Sequence, residues 1–163
     1  MAGPILLCDD GSDAADQAMR AAAPLLAGRD AIALHVWRPL SAGALLGASA
    51  GLALPPDVDE EVAATAARTA DQAAHRARQA GFRAEPLAVQ TIGPVWQAVL
   101  DAARARDAAV IVLGARGLSG VQHALLGSVS EKVVRHADRP VLVLHPTAAG
   151  GEGPASAGTQ ASA

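Results

Sequence analysis

Apolar and polar positions follow two rhythms that take turns along the chain. Unbroken apolar runs at 5–8 (ILLC), 31–37 (AIALHVW), 109–113 (AVIVL) and 140–145 (PVLVLH) have the pattern of buried strands. A weaker run at 82–90 is interrupted by Glu85 and Pro86, which predicts an edge strand because proline cannot donate to a ladder. Between these runs apolar residues recur at helical spacing. Ser12 suits the N-cap of a helix over 13–27, with Asp13 and Asp16 in its first turn and Pro24 placed to kink or shorten it. A long helix over 57–80 opens on Asp57, Asp59, Glu60 and Glu61, has an apolar side made almost wholly of alanine, and is closed by Gly81. Pro94 suits the first position of a helix reaching about Arg106, and 130–137 predicts the last one. Five strands alternating with helices predict a single-domain α/β fold, an open parallel sheet wrapped on both faces.

The stretch richest in chemistry lies between the fourth strand and the last helix and reads GARGLSGVQHALLGSV, 114–129. Gly114, Gly117 and Gly127 lack a Cβ, so their backbone can take positive φ and lie close against a ligand. Gly127, Ser128 and Val129 offer amide groups at a helix start, the end of the helix that attracts anions. A strand, a glycine loop and a helix start predict a phosphate cradle. Arg116 is a candidate charge partner for that phosphate, and His123 lies on the same loop. Ser128 and Glu131 also spell S-x-x-E, a capping box that needs no ligand. Asp10 ends strand one, where a carboxylate can accept from an adenine amino group or a ribose hydroxyl. Asp9 and Asp10 point to opposite sides of that strand, so only one can face a ligand.

The loop is neither GxxxxGK[ST] nor GxGxxG. Two residues separate Gly114 from Gly117, nine separate Gly117 from Gly127, and Ser128 follows directly. This spacing resembles the G-x2-G-x9-G-[ST] signature of the ATP-binding branch of the universal stress protein family. The resemblance runs over 5–146, with Asp10-Gly11-Ser12 and the ending DRPVLVLHP in agreement. It implies a Rossmann-like, adenine nucleotide α-hydrolase-like sheet of order 3-2-1-4-5, and ATP, alone or with Mg or Mn, as ligand. It places Asp10 and the backbone of Val36 at the adenosine end and Gly114 and Gly117 near the ribose and first phosphates. Gly127, Ser128 and Val129 then wrap the terminal phosphates, with Arg116 beside them. It also implies a homodimer paired through 140–145. Asp9 departs from the family pattern, which usually has an apolar residue or threonine there.

Composition narrows the picture. At 163 residues, 51% hydrophobic and only 2% aromatic, the chain suits one domain with an aliphatic, alanine-rich core. A net charge of −3 argues against nucleic-acid or anionic-membrane partners. Cys8 is the one cysteine, which excludes an internal disulfide and fits a reducing compartment. No stretch looks like a signal peptide or a membrane span, so the expected location is the cytoplasm. The domain is expected over 1–146, with 147–163 an unstructured tail rich in Ala, Gly and Ser. Segment 38–56, with five leucines among Ala, Gly and Ser, is expected to form a glycine-hinged flap over the nucleotide or a partner. The expected role is a nucleotide-binding regulatory module of the stress response, with no catalytic residues assigned. A slow ATPase, a cAMP-binding member of the same fold and a nucleotide-free dimerisation module are the alternatives.

Overall fold

The computed structural model describes residues 3–41, 57–115 and 126–145. The elements run β1 (Ile5–Cys8), α1 (Asp13–Leu26), β2 (Asp30–Trp37), α2 (Val58–Gln79), β3 (Arg83–Gln90), α3 (Val95–Ala105), β4 (Val110–Gly114), α4 (Ser128–His136) and β5 (Val141–Leu144). All strand pairs are parallel and the order is β3-β2-β1-β4-β5. β1 is central, with Ile5 opposite Ala31 of β2 on one side and Val110 of β4 on the other. β3 is an edge strand, as its proline predicts, with Pro86 opposite Ala33.

Two apolar layers follow from the alternation of side chains along each strand. Ile5, Leu7, Ala33 and Val112 meet Met19 and Ala22 of α1 and Ala73, Ala74 and Ala77 of α2. Leu6, Leu34, Ile111 and Leu113 meet Val99, Leu100 and Ala103 of α3 and Val133 of α4. The buried side of α2 is Ala66, Ala70, Ala73, Ala74 and Ala77, a helical stripe of small residues that lets the helix approach the sheet closely. Each large aliphatic side chain withdrawn from water stabilises the fold by about 1.5–3 kcal/mol.

Helix ends explain the remaining boundaries. α1 starts on Ser12, whose Oγ accepts from Ala15 N at 3.2 Å, and stops two residues beyond Pro24. α2 ends in a reciprocal pair of bonds: Phe82 N donates to Ala77 O and Gly81 N to Arg78 O, with Gly81 at φ +97. Pro94 is the N-cap of α3, one position before the predicted one, and its carbonyl accepts from the amides of Gln97 and Ala98. Beyond α3, Arg139 Nη1 donates to the carbonyls of Ala103 and Ala108 at 2.8 Å each, pinning the start of β5 to the α3–β4 turn. Asp138 accepts from Arg139 Nε at 2.9 Å and from Arg104 Nε at 3.2 Å at the same seam. No helix among the described residues is long and apolar enough to cross a membrane. Of the predicted flap, 38–56, residues 42–56 lie outside the described residues, as does the predicted tail, 147–163.

Candidate nucleotide site

Strand order reverses between β1 and β4, where an open α/β sheet leaves a crevice at the carboxyl ends of its strands. A cavity of about 380 Å³ occupies it. Its walls are apolar: Leu34 and Val36 from β2, Leu113 from β4, Val95 and Val99 from α3. Asp10 stands at one side and Gly114, Gly127, Ser128 and Val129 at the other. Residues far apart in sequence therefore border one space.

The Asp10 side is built by a turn. Gly11 takes φ +81, a conformation that a side chain would strain, and Asp10 Oδ1 accepts from Ser12 N at 3.0 Å. Asp9 also borders the cavity, and its carboxylate is engaged by α2. Its side chain is wholly buried, and its Oδ2 accepts from Arg76 Nη2 at 3.0 Å. Arg76 Nε lies 3.4 Å from Asp16 Oδ1. The backbone of Asp9 is held as well, its N donating to Leu34 O at 2.8 Å and its O accepting from His35 Nδ1 at 3.0 Å. That bond fixes the neutral imidazole of His35 as the Nδ1–H tautomer. Asp9 Oδ1 has no hydrogen-bond partner among the described residues. Burial pushes the Asp9 carboxyl above its ordinary range, and the attraction of Arg76 opposes this without cancelling it. Burial, reinforced by Asp9 and Asp10, also pushes the Cys8 thiol up, so at neutral pH it is a packed, protonated group without nucleophilic character.

The glycine side is closed on itself. Gly127 N donates to Ala115 O at 2.7 Å, so the chain leaves β4 and returns to the same point. Ser130 Oγ donates to Gly114 O at 2.7 Å, tying the first turn of α4 to the end of β4. The capping box expected from Ser128 and Glu131 is not formed. Gly127 is the N-cap and α4 starts at Ser128, two residues earlier than predicted, because the Gly127 carbonyl accepts from Glu131 N at 2.9 Å. Ser128 is therefore the first helical residue, with its side chain exposed. Among the described residues the amides of Ser128, Val129 and Ser130 meet no acceptor. Gly127 has φ −69, and Gly114 is not among the glycines with positive φ either. The expectation of a left-handed backbone at these two glycines is corrected.

Six of the predicted residues, Asp10, Val36, Gly114, Gly127, Ser128 and Val129, border the one cavity. Arg116 and Gly117 lie outside the described residues, as does His123. Arg76, His35 and Ser130 were not legible as neighbours of the site. Asp9 held the only signal: a charge inside an apolar run demands a buried counter-charge, but the run does not say which arginine supplies it. Among the described residues no group of three or more His, Cys, Asp or Glu side chains is placed to hold a metal ion.

Residues 1–145 match the model of the universal stress protein family. Universal stress protein YxiE of Bacillus subtilis is 31% identical over 151 residues, covering 88% of this chain and 99% of YxiE. The fold is similar to that of hypothetical protein MJ0577, with a TM-score of 0.71 at 20% identity, over 91% of this chain and 99% of that one. It is also similar to the universal stress protein from Archaeoglobus fulgidus in complex with dAMP, with a TM-score of 0.59 at 23% identity, over 86% of this chain and 96% of that one.

Proposed function

The chain belongs to the universal stress protein family, and on that premise we propose that it binds an adenine nucleotide, ATP foremost, as a regulatory module. The observation that carries this reading is the start of α4. Its amides and the exposed Ser128 hydroxyl border the same cavity as Asp10, and no side chain caps them. The nucleotide lies with its adenosine toward Asp10 and the Val36 backbone, against the apolar walls. Its phosphates reach the amides from Gly127 to Val129, and Gly114 gives the ribose room. Arg116 and Gly117 belong to the same cradle through the family motif. Through the family resemblance the ATP is taken up alone or with Mg or Mn. The same reading includes a homodimer paired through β5, and a cytoplasmic location.

Calorimetric titration of the purified chain with ATP tests this directly. Gly127→Val is the decisive variant, since φ −69 admits a side chain without backbone strain while the Cβ branches block the approach of a phosphate. ATP binding by the parent and none by a folded Gly127→Val is the expected result. Equal affinity in the two sinks the phosphate cradle. A mononucleotide is the second reading, favoured by the dAMP complex of the similar Archaeoglobus fulgidus protein. Titrations with AMP and cAMP beside ATP rank the ligands.

A further inference from the structure

One guanidinium, itself not among the residues that line the cavity, brackets the turn that carries Asp10. Arg76 lies near the end of α2, 67 residues from Asp9 in sequence. It donates to Asp9 through Nη2 at 3.0 Å, and its Nε lies 3.4 Å from Asp16 Oδ1, an ion pair without a hydrogen bond. Asp9 is the residue before the turn, and Asp16 lies in the first turn of the helix after it. Between these two anchors stand only Asp10, Gly11, Ser12 and the first residues of α1. Asp9 itself is a fixed pivot, its N bound to Leu34 O and its O to His35 Nδ1.

The chemistry suits a clamp. A guanidinium is a planar fork whose separate N–H groups can engage two carboxylates at once, whereas an ammonium is a single point charge. The Asp9 side chain is wholly buried, while that of Arg76 is 28% exposed. The pair is thus held by the carboxylate's need of a partner more than by the arginine's. We propose that Arg76 is a positioning residue for the nucleotide site: by joining Asp9 to Asp16 it fixes the turn from Asp10 to Ser12 and with it the direction of the Asp10 carboxylate. The inference rests on the nucleotide reading of the cavity that Asp10 borders. It also accounts for the acid that sets this chain apart from the usual family pattern: Asp9 and Arg76 are one device, and neither works alone.

The test uses the full chain and two variants with two readouts. Arg76→Lys keeps the charge and loses the fork. The double variant Asp9→Asn with Arg76→Met removes both charges, so no buried charge is left alone and the fold is retained. Amide exchange of Ser12 without nucleotide reports the bond to Asp10, and calorimetry reports ATP affinity. In both variants Ser12 should exchange about tenfold faster and ATP bind about tenfold more weakly, the size of coupling that one network supports. The affinity loss should vanish in chains already carrying Asp10→Asn, because Arg76 acts through Asp10. Unchanged Ser12 exchange in a folded variant overturns the proposal, as does an affinity loss that adds in full to that of Asp10→Asn. Faster Ser12 exchange in variants of a parent that binds no nucleotide would uphold the grip on the turn and remove the nucleotide reading instead.

Discussion

Asp138 stands where α3, β4 and β5 meet, and bonds from Arg139, then from Arg104, hold its carboxyl at about 2. An unfolded aspartate titrates near 3.9. Because the folded value is the lower one, the stability this group lends is complete above about pH 4 and is lost as pH falls toward 2. Urea melts across that range should therefore show a shallower acid decline for Asp138→Asn than for the parent. Parallel profiles would show that the bonds to Asp138 contribute nothing to folding. Individual residues were unevenly legible in the sequence. Alternation separates Asp9 from Asp10, but both border the cavity, and what distinguishes them is that the Asp9 carboxylate is paired with Arg76. Ser128 and Glu131 match a local motif and still do not form it, since Glu131 N bonds the carbonyl of Gly127, which is itself tied through its N to Ala115 O. Tertiary contacts of this kind leave no mark on the local pattern.

Elements were more legible than residues, because each strand and helix has a period and an end signal that act locally. Gly81 shows how strong such a signal is. At φ +97 it occupies the left-handed region, and an added Cβ would stand 3.3 Å from that of Ala27. Gly81→Ala should cost about 1–2 kcal/mol in chemical denaturation, and Gly81→Asn less, since asparagine tolerates that conformation better. Equal stability of all three chains would mean that the end of α2 rearranges freely. Pro86 likewise marked β3 as an edge before any pairing was known, a consequence of its missing donor. Pro24 was less informative: it removes a single amide donor close to the helix end, and Ala27 N still donates to Ala23 O at 2.8 Å, so α1 continues to Leu26.

For the whole molecule, alternating strands and helices determine a parallel sheet, but several strand orders satisfy the pattern, and the resemblance supplied 3-2-1-4-5. That order puts β5 at an edge, where Val141–Leu144 are all only half-buried. Such an edge invites pairing. Sedimentation at micromolar concentration should return a dimer, which a lysine at Val143 dissolves; a parent that sediments only as monomer removes the β5 interface. The order also bears on how the protein is made. β1 is central, yet one of its two partners, β4, begins only at Val110. At about 5–20 residues per second, the roughly hundred residues between them take about 5–20 s to synthesise. Throughout that interval one side of ILLC has no strand to pair with, and Asp10 faces half a crevice. The nascent chain thus carries a sticky apolar strand edge, and the cavity beside Asp10 stays incomplete, until β4 and α4 have emerged.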